Sequence, residues 1–161
     1  MISRKSDIPQ SQLDGWLDSV KTQFPNYRLD ADRGPFMIIS ALDGTFNSSN
    51  AWEIHIEHDA GILRGAIITY IKEFIYNPHC LGVLPCSRKK GVATALMSHV
   101  MDQAHAVAKP VVLGAVLPGA ASLVKRLGFR KAYLPNGSEL HKWSTLPQHR
   151  DDRIPGEQYE T

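Results

Sequence analysis

The chain has 161 residues, of which 43% are hydrophobic and 21% are charged. This length and composition are typical of one globular domain with short tails, and they argue against a disordered chain or a coiled coil. The formal net charge of +2 gives no general reason to expect nucleic acid as a partner, and the longest apolar runs are too short to span a membrane. Two cysteines do not make a disulfide framework, and no apolar leader follows the first residues, so we expect a cytoplasmic protein.

The first 42 residues are predicted to hold a helix, a polar connection and a short strand. Apolar residues from Leu13 to Phe24 recur every three or four positions, which indicates one face of a helix, and Pro25 ends it. Residues 26–35 are polar and predict a connection that completes the N-terminal part of the domain. The apolar run at 36–42 predicts the first strand of a β-rich stretch.

Three further strands are predicted before the middle of the chain. Residues 52–57 alternate between apolar and polar side chains, and a turn then leads to an apolar segment at 62–71, which together indicate a hairpin. The third segment, at 74–84, contains Pro78, so we expect a bend or bulge in that strand. The polar face of the first of these strands is predicted to be solvated, although it could also bind an amine or a metal; its members are Glu53, His55 and Glu57.

The second half of the chain is predicted to alternate helices and strands and to close with a hairpin. The hairpin is placed at Asn136-Gly137, because this dipeptide supplies the positive φ angles that a tight turn needs. We expect residues 1–145 to form a single domain and the polar residues 146–161 to form a tail. In chain order the elements are a helix at 92–107, a strand at 111–116, a helix at 120–127 closed by Gly128, and strands at 129–134 and 139–144.

The stretch from Leu81 to Ala93 runs from an apolar strand through a basic, glycine-containing turn into a helix. Backbone N–H groups at the start of a helix lack partners and carry partial positive charge, so they bind phosphate groups well. The stretch is neither a Walker loop nor the dinucleotide fingerprint. A solvated basic turn is the alternative that the local pattern leaves open. The candidate ligands are Arg88, Lys89, Lys90, Gly91, Val92 and Ala93.

The order of these motifs resembles the GNAT superfamily of acyl-CoA-dependent N-acyltransferases over about residues 50–145. The family signature is a strand that ends in an apolar-x-apolar-x-Pro pattern, followed by Gln/Arg-x-x-Gly-x-Gly/Ala at the start of a helix. The strand here ends in Val83-Leu84-Pro85, and the loop runs from Arg88 to Ala93. A later helix ends in Gly128-Phe129, as in the family. The resemblance implies an α/β fold with a mixed sheet, a central bent strand, a phosphate-loop helix and a C-terminal β-hairpin.

The resemblance also implies a cofactor site. The amides from Arg88 to Ala93 would hold the pyrophosphate of coenzyme A, and the backbone of Leu81 and Val83 would pair with its pantetheine arm. Acetyl-CoA would be the co-substrate, and an amine would accept the acetyl group. No metal is implied.

The usual catalytic positions of the family carry other residues in this chain. Val124 stands at the position of the common tyrosine acid, Leu117 at that of an asparagine, and Asn77 at that of a glutamate base. His79 shares a strand face with Asn77, and an imidazole, with an ordinary pKa of about 6.5, suits a base at neutral pH. We therefore expect His79 to be the base; the alternative is a histidine that only satisfies a bulge. Tyr133 is a weaker candidate for the missing acid.

The sequence is compatible with two functions. The first is transfer of an acetyl group from acetyl-CoA to an amine that the sequence does not name. The second is a catalytically inactive GNAT-fold protein with a structural or interaction role, for example as a component of a phage particle, with a protein partner or a second copy of the chain. Fold does not fix function, and the missing tyrosine, asparagine and glutamate motivate the second hypothesis.

Overall fold

The computed structural model describes residues 1–46, 51–114, 116, 118–149, 151 and 154. It has a mixed sheet of seven strands in the order β1-β2-β3-β4-β5-β7-β6, with four α-helices. The strands are β1 (Ile2–Arg4), β2 (Trp52–Asp59), β3 (Ile62–Ile71), β4 (Tyr76–Val83), β5 (Val111–Leu113), β6 (Arg130–Tyr133) and β7 (Glu139–Trp143), and the helices are α1 (Gln10–Gln23), α2 (Gly34–Leu42), α3 (Val92–Ala106) and α4 (Ala121–Arg126).

The predicted fold class is confirmed. A strand leads through a basic loop into the long helix α3, and the chain then forms β5, α4 and the antiparallel β6–β7 hairpin. β4 pairs with β5 in parallel at Tyr76 and Val111, as a strand–helix–strand crossover requires. β1, which pairs antiparallel with β2, was not predicted. The strand predicted at 111–116 ends at Leu113, and Ala115 lies outside the described residues.

The chain forms two compact units. The first unit contains residues 1–69 and 80–96, and the second contains residues 70–79 and those from 97 onward. An apolar cluster of the first unit joins residues of α1, α2, β2 and β3, among them Trp16, Ile38 and Ile56. The second unit has its own cluster, made by Ile75, Val112, Ala132, Leu140 and Ile154. None of the helices in the described parts of the chain has the length and apolar character needed to cross a membrane.

The predicted strand at 36–42 is wrong, because these residues belong to α2. The helix starts at Gly34, and Pro35 lies in its first turn, where the missing N–H leaves no helical bond unmade. Five successive residues from Ile38 to Leu42 are buried, so no polar face marks a helical period. A short, continuous apolar run is compatible with either structure, because a buried strand and a buried helix both lack a polar face.

The polar face of β2 is also not the solvated surface that the alternation predicts. His55 is 2% exposed and Glu57 is 3% exposed. Glu57 accepts hydrogen bonds from Nε and Nη2 of Arg64 on β3. Glu53 forms an ion pair with Arg4 of β1, with 3.2 Å between Nη2 and Oε1. Alternation indicates which residues share a face, whereas the pairing with Arg64 offsets the cost of burying the Glu57 carboxylate.

The described residues of the predicted C-terminal tail pack against the hairpin of the second unit. Lys142, which is 2% exposed, donates from Nζ to the carbonyl oxygen of Asp151 at 3.1 Å. Ile154 is 3% exposed and its N–H donates to the carbonyl of Tyr133 at 3.3 Å. His149 accepts or donates a hydrogen bond with Ser144 through Nδ1, and burial, followed by the charge of Lys142, lowers the pKa of its imidazole.

Candidate functional site

The loop between β4 and α3 contains two left-handed residues. After β4 the chain makes a 3-10 turn at Pro85–Ser87. Lys89 then adopts a φ of 61° and Gly91 a φ of 77°. Glycine adopts this region freely, but lysine does so at a cost in free energy, and such strained residues cluster at functional sites. The loop therefore curves sharply before α3, and backbones of this kind occur in anion-binding loops.

The first turn of α3 presents backbone donors next to this loop. The first intrahelical bond runs from Ala95 N–H to the carbonyl of Gly91, at 2.9 Å. The amides of Val92, Ala93 and Thr94 precede that bond, so the helix itself offers them no acceptor. A Cβ atom placed on Gly91 would meet nothing within 4 Å. The space beside Gly91 and the donors of α3 therefore fit a phosphate group, to which Lys89 and Lys90, both exposed, add positive charge.

The accessible face of β4 carries the residues predicted to bind the pantetheine arm. Along the strand, His79 is exposed, and Asn77, Leu81 and Val83 are partly exposed. Of the residues that alternate with them, Tyr76, Pro78 and Gly82 are buried and Cys80 is partly exposed. The predicted base and the predicted cofactor residues therefore occupy alternate positions along one strand.

The start of α2 lies against the end of β4 in the first unit. A Cβ on Gly82 would lie 2.7 Å from the carbonyl oxygen of Gly34 and 3.1 Å from Cγ1 of Ile38. A Cβ on Gly34 would in turn lie 2.7 Å from the carbonyl oxygen of Val83. Two glycines thus allow helix and strand backbones to approach more closely than any other residue would allow.

The guanidinium of Arg88 has two hydrogen-bond partners within the protein. Its Nη2 donates to Oδ1 of Asp32 at 2.5 Å and to the carbonyl oxygen of Val83 at 3.1 Å. Asp32 Oδ1 also accepts the N–H of Gly34 at 3.0 Å. The hydrogen bond from Arg88 holds the pKa of Asp32 below its usual range, and the carboxylate raises the pKa of the guanidinium. Both groups are therefore charged at neutral pH.

The positions of the missing catalytic residues are occupied in different ways. Val124, on α4, is buried and apolar, so it offers no acid. Asn77 donates from Nδ2 to the carbonyl of Val112 at 2.8 Å, which ties β4 to β5. Leu117 lies outside the described residues. Tyr133 is 46% exposed on β6.

Asp32 and Gly34 are the residues of this site that sequence reasoning missed. Both lie within the polar connection predicted at 26–35, and Asp32 is 56 residues away from Arg88, which it binds. Gly34-Pro35 signalled a turn, but no spacing in the sequence links that turn to the basic loop. Among the described residues, no group of three or more His, Cys, Asp or Glu side chains could hold a metal ion.

Comparisons by sequence find no relative. No protein-family model matches the chain, and no curated protein matches it either.

Solved structures with a similar fold are numerous, and many of them are GNAT-family acetyltransferases. An acetyltransferase of the GNAT family from Staphylococcus aureus has a TM-score of 0.59 at 14% identity, covering 88% of this chain and 96% of that one. An aminoglycoside 6'-N-acetyltransferase complexed with coenzyme A has a TM-score of 0.61 at 14% identity, covering 91% and 98%. A GNAT family acetyltransferase from Brucella melitensis in complex with acetyl-CoA has a TM-score of 0.56 at 14% identity, covering 91% and 90%. With β4, the loop at 88–91 and α3 in the order that the motifs predict, this chain has the GNAT acetyltransferase fold.

Proposed function

We propose that the chain is an N-acyltransferase that binds acetyl-CoA and transfers its acetyl group to an amine. The observation that carries the proposal is the loop between β4 and α3, where left-handed Lys89 and Gly91 lead into helix amides beside an open space. Structures of the same fold contain coenzyme A or acetyl-CoA. Backbone amides at a helix start and in a curved loop bind phosphate well, so this geometry suits the pyrophosphate of the cofactor.

Each candidate residue has a role in this proposal. The amides of Val92 and Ala93 and the charges of Lys89 and Lys90 hold the pyrophosphate. The backbone of Leu81 and Val83 pairs with the pantetheine amides. Acetyl-CoA supplies an activated acetyl group as a thioester when it is bound. Arg88, the remaining cation of the loop, also binds the pyrophosphate in this proposal.

His79 is the proposed base. An amine that is protonated at neutral pH must first lose a proton to become a nucleophile, and the imidazole takes up that proton, directly or through a water. The nitrogen then forms a C–N bond to the acetyl carbon as the C–S bond breaks. The nitrogen carries positive charge after this attack, so it releases a second proton, which the leaving thiolate takes up. His79 suits this role because it is exposed on the same face of β4 as Leu81 and Val83.

Calorimetric titration with acetyl-CoA tests the cofactor site. We expect binding by the wild-type chain and about tenfold weaker binding by Gly91→Asn, because asparagine tolerates a positive φ while its side chain fills the space beside the loop. Gly61→Asn is the matched control. Gly61 has a φ of 78° and equally open surroundings, but it lies in the β2–β3 turn, so acetyl-CoA should bind this variant as it binds the wild type.

Two results would contradict the proposal. No heat of binding from the wild type at millimolar acetyl-CoA would remove the cofactor and favour a non-catalytic role for the fold. Equal affinities of folded Gly91→Asn and Gly61→Asn would show that the cofactor lies elsewhere.

A further inference from the structure

The guanidinium of Arg88 already has an anion and a carbonyl as partners. Nη2 donates both to the Asp32 carboxylate at 2.5 Å and to the carbonyl oxygen of Val83 at 3.1 Å. In the proposed function, an arginine in this loop serves the pyrophosphate and the Val83 carbonyl serves a pantetheine amide. Asp32 thus accepts from Arg88 as the pyrophosphate would, and Arg88 donates to the Val83 carbonyl as a pantetheine amide would.

The local backbone builds this arrangement. Asp32 is held in place by the N–H of Gly34, which donates to the same Oδ1 atom at 3.0 Å. Arg88 reaches Val83 only because position 34 has no side chain, since a Cβ there would lie 2.6 Å from Nη2. The contact therefore depends on Gly34 and on the close approach of α2 to β4, and it is more than a chance meeting of two surface charges.

The ion pair is accessible to solvent, so it can be exchanged. The Arg88 side chain is 43% exposed and that of Asp32 is 38% exposed. Exposed ion pairs contribute little net stability, because water competes for both charges. A pyrophosphate carries more negative charge than one carboxylate and accepts bidentate hydrogen bonds from a guanidinium, so it is the stronger partner.

We propose that Asp32 competes with the pyrophosphate of the CoA thioester for Arg88, so that cofactor binding must break the Asp32–Arg88 pair. This inference rests on the proposed function and adds to it a residue that sets cofactor affinity. The exchange has two consequences. It frees the Val83 carbonyl for the pantetheine arm, and it releases the segment before α2 from the loop.

The inference predicts a gain of affinity, which damage to the fold would not produce. Asp32→Asn removes the competing charge, so acetyl-CoA should bind about 3- to 5-fold more tightly, as expected for loss of an exposed ion pair. In the Arg88→Gln background, the same change at position 32 should have no effect, because the group that the anions share is gone. Titration calorimetry on the two single variants, the double variant and the wild type measures this coupling.

Asp30→Asn is the matched control, because it removes the same charge from the same segment and keeps the Asp32–Arg88 pair. It should leave the affinity for acetyl-CoA within twofold of the wild type, a margin that simple removal of a nearby surface charge allows. An equal gain in affinity for acetyl-CoA in Asp32→Asn and Asp30→Asn would overturn the inference, because it would show general charge repulsion rather than competition for Arg88.

Two further results separate this inference from the proposed function. If acetyl-CoA binds the wild type and Asp32→Asn binds it equally or more weakly, competition is wrong while the cofactor site stands. If none of the variants binds acetyl-CoA, the proposed function falls, and the competition falls with it.

Discussion

His79 lies two residues before Leu81 on the accessible face of β4, and its side chain is exposed. We expect His79→Gln to lower turnover by about 10²- to 10⁴-fold while acetyl-CoA still binds, because glutamine keeps the approximate size and hydrogen bonding but cannot take up a proton at neutral pH. Rates with a primary amine found by screening, measured across pH, test the role. The decline of the wild-type rate on the acid side should disappear in the variant.

His105→Gln is the control for this prediction, since His105 is exposed on α3 and bonds to Thr145. It should leave rate and pH profile unchanged. A His79→Gln variant with the wild-type profile would exclude His79 as the base. Attention would then pass to Glu53 rather than Glu57, because both Glu57 oxygens accept from Arg64.

Glycines decide how closely α2 and β4 can approach. A methyl group on Gly82 would lie 2.7 Å from the Gly34 carbonyl oxygen, and a backbone atom cannot turn away as a flexible side chain can. Gly82→Ala should therefore lower the free energy of unfolding by about 1–3 kcal/mol, as overpacking does. Denaturant titration followed by circular dichroism measures the change.

The matched control for Gly82→Ala should change the free energy of unfolding in the opposite direction. Gly15 lies inside α1, and a Cβ there would meet nothing within 4 Å. Gly15→Ala should therefore raise the free energy of unfolding by about 0.5–1 kcal/mol, because alanine is the better helix former. A Gly82→Ala variant as stable as the wild type would show that α2 and β4 do not need this close contact.

The helix α2 shows why an element cannot always be predicted from its own residues. Its nine residues are mostly apolar and no polar face gives a period. The α3 helix was predictable because its apolar residues recur at helical spacing. The difference is that α3 keeps one exposed side along its length, whereas the last five residues of α2 are all buried.

Acid unfolding of the whole chain should reflect its two arginine-bound carboxylates. Hydrogen bonds from Arg88 and Arg64 lower the pKa of Asp32 and Glu57, respectively. A lowered pKa in the folded state adds stability that is complete above the ordinary values of about 3.9 for Asp and 4.3 for Glu. That stability is lost as the pH falls through the lower folded-state pKa values.

Glu57→Gln tests this linkage, because Glu57 is the buried member. At pH 7 the variant should lose about 1–3 kcal/mol of unfolding free energy, and its difference from the wild type should shrink as the pH falls below about 4. Glu53→Gln, in the same strand face, should lose at most about 1 kcal/mol, because the Arg4 side chain in its ion pair is 50% exposed. A difference for Glu57→Gln that is the same at pH 7 and pH 3 would contradict the assignment.

Local patterns in the sequence determined the order of strand, basic loop, long helix, short strand and final hairpin. Each of these elements depends mainly on neighbours in the chain: apolar periodicity for α3, Pro85 and Gly91 around the loop, and Gly137 in the turn. Of the predicted Asn136-Gly137 pair, only Gly137 has a positive φ, of 87°. This order was enough to predict the GNAT fold, although no family model or curated relative matches the chain.

Only the tertiary structure decided which distant groups meet. The Asp32–Arg88 pair spans 56 residues, and nothing in either local sequence indicates it. Pairing with Arg64 offsets the cost of burying Glu57, and Ile38 to Leu42 are buried in a helix that their apolar run did not indicate. Burial and the partners of buried groups depend on three-dimensional neighbours, which a linear pattern does not contain, because desolvation is set by the packed fold.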